Sequence, residues 1–506
     1  MNSSRSQTRS FTTIFQIEMW ERFGYYGMAA LLVLFMIERV GFSDANANLT
    51  WGAFAALVYA APSIGGWIGD KVLGTRRTML LGAAVLIAGY LMLCIPDDRL
   101  GFVYAALGVI VVGNGLFKAN AANLVRRIYE GDDARIDSAF TIYYMAVNVG
   151  STVSMLATPW IKDRWGWHAA FGVCCAGMTV GVINCLARYG TLVRIGSAPD
   201  DNPVHRRRLA MVLAAGAALA LATVFVLQHR ALAVACVYAA AVAIVAIFAL
   251  MTLTCERAER AGLVAAFVLV LQSILFFVFY QQMSTSLTLF ALRNVDPALS
   301  IAGVTLFSWS PAQFQALNPI WVMLMSPLLA GLYTRLAQGG RDVGVATKFA
   351  LGFVAVAAGF FVYAVSGRYA MDGRVSPWFL VLGYGLNALG ELLVSGLGLA
   401  MIARYIPARM GGFMMGAYFV ATGVAQYLGS VVANLAQLPS NDLPAVQSLP
   451  LYIDLFARLG WLAAAGALIS ILLLPLMRRL ANTHRRSANL LASATTSARS
   501  SAFVPD

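Results

Sequence analysis

Residues 14–37 read IFQIEMWERFGYYGMAALLVLFMI, an apolar run with two acids and a base in its first half. About 20 apolar residues of helix cross a hydrocarbon core of about 30 Å, so the run is long enough to span a membrane. An ionisable side chain inside such a span costs about 2.5–3.5 kcal/mol on insertion scales, which makes Glu18, Glu21 and Arg22 residues that need a function or a partner. Together with Tyr25 and Tyr26 they fall at i, i+3, i+4, i+7 and i+8, one face of a helix. Lipid would not accept that face, so it must point into a polar interior formed by other spans. A pair that only locks two helices together would not need two acids, a base and two phenols.

The rest of the chain supplies those spans. Of its 506 residues 60% are hydrophobic and 12% charged, against about 45–50% and about 25% in a soluble domain. This excludes an ordinary soluble enzyme. Further apolar runs lie near 49–69, 77–95, 101–123, 136–160 and 167–189, and a second set near 262–290, 312–336, 346–366, 376–402, 410–436 and 452–476. Between the sets are two plain Ala/Val/Leu runs, near 209–227 and 232–253, expected to pack outside the functional bundle. The reading is an all-α polytopic membrane protein of 14 spans, six, two and six. It comprises an N-terminal tail (1–13), a first bundle (14–190), a linker with two extra helices (191–261), a second bundle (262–478) and a disordered tail (479–506).

The net charge of +13 resembles a nucleic-acid signal, but its distribution points elsewhere. Of the 36 Lys and Arg residues, 25 fall in connectors and tails on one side and nine on the other, with Arg22 and Lys118 inside spans. Basic connectors mark the cytoplasmic side, so both termini are expected there. The first residues imitate a signal peptide, yet Glu18, Glu21 and Arg22 follow without a small-residue cleavage site, and the run reads as a retained span. Six cysteines lie in or beside apolar runs without metal-ligand spacing and read as packing residues.

Other polar residues recur at helical spacing inside the spans. GNGLFKAN places Asn114 and Lys118 one turn apart, and Lys118 is expected to meet the span-one carboxylates. YYMAVNVGS gives Tyr144 and Asn148 at i, i+4, and YGLNALGELLVSG lines up Asn387, Glu391 and Ser395. Tyr280, Gln281 and Gln282 make span seven polar without charge, and Asn318–Pro319 opens span eight, where the proline is expected to free a carbonyl toward a cavity. A cavity with Glu391 on one wall and Arg22 and Lys118 on the other would complement both ends of a small zwitterion, with Tyr25, Tyr26, Tyr59 and Tyr144 as donors and aromatic walls. GWIGDKVLGTRR joins spans two and three. Its Gly66 and Gly74 allow close helix approach, and Asp70 with Arg76 and Arg77 can form a conformational latch. No Walker lysine–threonine pair follows it, so a nucleotide site is not indicated. No mid-span histidine, catalytic triad or zinc spacing points to an intramembrane enzyme.

These motifs together resemble the proton-dependent oligopeptide transporter family of the major facilitator superfamily. Glu18-x-x-Glu21-Arg22-Phe23-x-Tyr25-Tyr26 is similar to its span-one signature, Gly66 to Arg77 to the superfamily's inter-helix motif, and GNGLFKAN, YYMAVNVGS and GELLVSG to its segments in spans four, five and ten. The resemblance runs from about residue 14 to 478, and YQQMSTSLTLFALRNV and FQALNPIW bring it nearest to bacterial di- and tripeptide permeases. It implies two bundles rocking about a midplane site. It assigns Glu18, Glu21, Arg22 and Lys118 to proton coupling. Arg22, Lys118, Tyr25, Tyr26, Tyr59, Tyr144 and Asn148 would bind the peptide's carboxylate end and backbone. Glu391 and Asn318, with Ser395 and Gln281 nearby, would take its ammonium end. It further implies the bacterial inner membrane, no cofactor beyond the proton gradient, no nucleic-acid partner, and function as a monomer. Two departures stand out: Ala29 and Gln281 replace common charged positions, leaving the inter-bundle gate to Asp296, Arg293 or packing. Transport of another organic anion on the same fold, and more remotely an intramembrane enzyme, remain open on the residues alone.

Overall fold

The computed structural model describes residues 2–501 except 98, 131–132, 302, 340–342, 395–404, 407, 437 and 439–442. The chain is almost wholly helical. The first set comprises α1 (Asn2–Glu38), α2 (Asp44–Lys71), α3 (Thr75–Cys94), α4 (Leu100–Ile128), α5 (Asp133–Trp165) and α6 (Trp167–Ala187). Then follow α7 (Arg206–Gln228) and α8 (Arg230–Thr254). The last set is α9 (Arg257–Tyr280), α10 (Ser286–Asn294), α11 (Leu317–Gln338), α12 (Val345–Ser366), α13 (Trp378–Val394), α14 (Ala408–Ala433) and α15 (Ala445–Ser501). Among the described residues 12 helical segments are long and apolar enough to cross a membrane. α1 is not among them, since Glu18, Glu21 and Arg22 sit in its middle, and α13 is shorter.

The helices sort into two packed sets. α1 packs on α5 and α6, α2 on α4, and α3 on α4 and α6; in the other set α12 packs on α13 and α15, α9 on α14 and α15, and α11 on α13. The sets meet where α2 packs on α14 and α5 on α11. α7 lies against α4 and α8 against α14 and α9, so this plain hairpin touches both sets from outside; each of its helices keeps only 11% of its most apolar stretch buried.

The α2–α4 crossing is close because glycines face it. A Cβ on Gly65 would collide with the backbone carbonyl of Gly115, and one on Gly69 with the side chain of Asn120, whose amide donates to Gly65 O at 2.9 Å. Gly66, singled out from sequence, is looser: its Cβ would meet Ala119 at 3.2 Å. Gly65→Ala is therefore expected to destabilise by about 1–3 kcal/mol or more, since backbone cannot yield as a flexible side chain can. Thermal unfolding in detergent should show a clear drop for Gly65→Ala and little change for Gly66→Ala; equal behaviour would mean that the crossing relaxes.

Several boundaries differ from the sequence reading. α1 begins at Asn2, where a tail to residue 13 is expected, and α15 continues to Ser501 through the stretch read as disordered from 479. Ala, Leu and Arg recur in that stretch and are good helix formers. Span seven is not one helix. α9 ends at Tyr280, a 3-10 turn covers Gln281–Ser284, and α10 resumes at Ser286. The polar side chains that apolar counting passes over occupy the freed backbone: Thr285 Oγ1 donates to Gln281 O at 2.9 Å, and Gln282 Nε2 to Val278 O and Gly429 O at 3.0 and 2.9 Å. Pro319, in contrast, stands in the first turn of α11, where a missing N–H costs nothing, so it does not break the helix. A short antiparallel hairpin, β1 (Ala298–Ile301) and β2 (Val304–Ser308), lies between α10 and α11.

Candidate functional site

Between the two sets lies a cavity of about 250 Å³, just below the roughly 300–1,000 Å³ typical of ligand pockets. α1 contributes Tyr25, Tyr26 and Ala29, α2 Trp51 and Tyr59, and α5 Tyr144, Asn148 and Ser151. From the second set come Tyr280, Gln281, Asn318, Glu391, Tyr418 and Gln426. Eight residues named from sequence thus meet here: Tyr25, Tyr26, Tyr59, Tyr144, Asn148, Gln281, Asn318 and Glu391. Ser395 lies outside the described residues. Sequence reasoning missed Trp51, Gln315, Tyr418 and Gln426. Isolated aromatics and amides in apolar runs resemble ordinary packing and interhelical hydrogen bonding.

Glu391 is the carboxylate of this cavity. Asn318 Nδ2 donates to its Oε2 at 2.8 Å, and the Tyr144 hydroxyl lies 3.5 Å from its Oε1, so α5 and α13 of opposite sets approach one another through it. Asn387, one turn earlier, faces away, with its amide 3.3 Å from the Tyr363 hydroxyl.

The span-one charges lie behind the tyrosines. Arg22 Nε donates to Glu18 Oε1 at 2.8 Å and lies 3.0 Å from Glu21 Oε2, and Asn114 Nδ2 donates to Glu21 Oε1 at 3.2 Å. Glu18, Glu21 and Arg22 are all buried, 1%, 0% and 4% exposed, so no water screens this group. Arg22 and Lys118 therefore do not form the cavity wall opposite Glu391 that the sequence reading expects. Arg22 is held by two carboxylates on its own helix. Nor does Lys118 pair with those carboxylates: among the described residues it has no ion-pair partner, and its Nζ stands 4.8 Å from the ring centroid of Tyr59. A cation over an aromatic face is attracted by about 0.5–2 kcal/mol, so this is a holding position that an anion can outbid.

The latch motif is also wired differently. Asp70 pairs with Arg127 at 3.1 Å and accepts from Asn123 Nδ2 at 2.8 Å, both on α4, and not with Arg76 or Arg77. Those arginines hold the linker instead. Arg76 donates to Leu192 O at 2.7 Å, to Val193 O, and to Asp200 O at 3.1 Å, while Arg77 Nη1 donates to Pro199 O at 2.9 Å. The Asp200 carboxylate accepts from the backbone N–H of Arg76 and Arg77 at 3.2 and 3.4 Å and so caps α3, which has no cap of its own. Gly74, at φ +100°, turns the chain beneath it, and a Cβ there would strike Asp200.

At one end of the molecule the two sets are tied by charge. Arg293, closing α10, donates to both oxygens of Asp44 at 2.6 and 2.8 Å and to the Tyr452 hydroxyl at 2.8 Å. Asn48 Nδ2 donates to Asn434 Oδ1 at 2.9 Å in the same layer, and Gly52 of α2 sits against Ser430 of α14 too closely for a Cβ. Gln281, at a position where a family acid is common, reaches Ser430 Oγ at 3.4 Å. Asp296 does not join the gate; its carboxylate caps the N–H of Ala298.

A family model described as "POT family" matches residues 76–449, most of the chain. The chain belongs to the POT family. A dipeptide and tripeptide permease A of Erwinia pyrifoliae is 43% identical over 475 residues, covering 94% of this chain and 95% of that relative. The dipeptide and tripeptide permease A of Escherichia coli K12 is 40% identical over 475 residues, covering 94% and 93%. Among solved structures, a tetrameric PepTSo2 superposes with a TM-score of 0.86 at 54% identity, covering 94% of this chain and all of that one. A peptide transporter POT in complex with sulfate gives 0.80 at 28% identity, covering 93% and 95%. POT family membership, the helical fold and its likeness to peptide transporters agree with the expectation drawn from the motifs.

Proposed function

We propose that this chain is a proton-coupled symporter that imports di- and tripeptides by alternating access. The observation that carries the reading is the separation of charge about one cavity. Glu391 stands on the wall from the second set, and the buried Glu18–Arg22–Glu21 group lies on the helix that supplies Tyr25 and Tyr26. A peptide ammonium pairs with Glu391 and Asn318; its backbone meets Tyr26, Tyr59, Tyr144 and Asn148. Its carboxylate draws Lys118 from Tyr59 and competes for Arg22, which releases Glu18 and Glu21 to take a proton. When the proton leaves, a carboxylate reclaims Arg22 and the peptide is expelled.

The chain is read as 14 spans with both termini in the cytoplasm of a bacterium and the body in its inner membrane, from the basic connectors. α1 then runs outward, which puts the Arg293–Asp44 pair at the outer end. The two bundles, 14–190 and 262–478, rock about the cavity, with the 191–261 linker bridging them and the 1–13 and 479–506 ends cytoplasmic. Transport by a single chain, driven by the proton gradient without a cofactor, belongs to this reading. The names of the relatives support peptides as cargo.

Uptake of labelled dialanine into proteoliposomes under an inward proton gradient tests this. Accumulation should appear, vanish with an uncoupler, and be competed by unlabelled dialanine but poorly by N-acetyl-dialanine, which lacks the ammonium that Glu391 receives. Equal competition by the acetylated peptide would remove Glu391 from ammonium binding. No uptake by folded protein would favour another organic anion as cargo.

A further inference from the structure

A second cavity, of about 330 Å³, lies at the opposite end from Arg293, between the α2–α3 turn and the start of α7. Val72, Leu73, Arg77, Pro199, Asn202, His205 and Arg208 form much of its wall. Arg208 is exposed, and among the described residues it has no ion-pair partner. The nearby acid Asp200 is already committed to Arg76 and to the backbone N–H groups of α3, and Asp201 is exposed beside it. Arg77 spends one guanidinium nitrogen on Pro199 O. Arg77, His205 and Arg208 thus face a hollow whose wall holds no acid to balance them.

Their height in the membrane decides what fills it. Arg206 begins a segment, Arg206–Gln228, that is apolar enough to span and faces outward over most of its surface. On the face below Arg208, at i+3, i+7 and i+10, stand Met211, Ala215 and Ala218, all exposed and apolar. The hollow therefore has guanidinium groups at the water boundary and a smooth hydrocarbon-facing strip leading away from it. A free phosphate would use only the first of these features.

We propose that this cavity binds the phosphate of an anionic phospholipid, with Arg77, His205 and Arg208 around the headgroup and an acyl chain along Met211, Ala215 and Ala218. Because the Gly196–Asp201 segment is clamped to the α2–α3 turn, the lipid also ties the extra hairpin to the first bundle. The inference needs only that α7 spans the membrane, not that the cargo is a peptide.

The test uses the full chain in detergent, with phosphatidylglycerol or phosphatidylcholine added and retained lipid read by native mass spectrometry. Phosphatidylglycerol should be retained in preference. Arg208→Gln should lose that preference by roughly five-fold, the effect of removing one guanidinium group at a membrane surface, while Arg208→Lys keeps most of it and controls for folding. Equal retention of the two lipids, or an unchanged glutamine variant, would overturn the proposal. So would displacement of phosphatidylglycerol by millimolar inorganic phosphate, which would leave a simple anion site.

Discussion

Glu21→Gln is expected to abolish gradient-driven accumulation of dialanine while leaving peptide exchange partly intact. The amide has the shape and neutrality of a protonated carboxyl, and Asn114 can still donate to its oxygen in place of Glu21 Oε1. What it cannot do is release a proton, so the transport cycle loses the ion that drives it uphill. Each transported proton allows about tenfold accumulation per unit of pH gradient, and the variant should fall to simple equilibration. Arg22 would retain Glu18 at 2.8 Å, so the helix should not carry an unpaired buried cation and the protein should fold. Counterflow with and without a proton gradient reads both properties. Persistent accumulation would pass the coupling role to Glu18.

The second large effect is expected at the Arg293–Asp44 pair. Arg293 and Asp44 are 8% and 4% exposed at their side chains, and removing one partner of a buried pair costs about 3–5 kcal/mol. Since the pair joins α2 to α10, Arg293→Gln should shift the population toward a form open at this end by about a hundred-fold or more. Spin labels at Asn46 and Val446, both exposed in the same outer layer, should then report longer distances. Asp44→Asn/Arg293→Gln should be milder, because no charge is left buried. An unchanged distance distribution in Arg293→Gln would mean that the Asn48–Asn434 contact and the Gly52–Ser430 packing hold the gate alone.

The Arg293–Asp44 pair shows the limit of reading residues singly. The absence of charge at Ala29 and Gln281 is visible in the sequence, and it prompts the search for a replacement. That Arg293 pairs with Asp44 could not be seen, because the two lie 249 residues apart on different bundles. Gln281 turns out to serve the break in span seven and the packing against Ser430, roles for which its lack of charge is an advantage.

Hydropathy and the cost of intramembrane charge are properties of each residue and its near neighbours, so the sequence by itself determined the helical membrane class and the residues that demand a polar interior. Eight of those residues do line one cavity. Pairing depends instead on which helices the fold brings side by side. Arg22 is claimed by Glu18 and Glu21 on its own helix, which leaves Lys118 to rest on Tyr59. Asp70 finds Arg127 across the glycine-lined α2–α4 crossing, and the arginines beside it fall to the linker. A charge takes whatever partner packing brings within reach, an opposite charge, a carbonyl or an aromatic face, and only the tertiary structure decides which one that is.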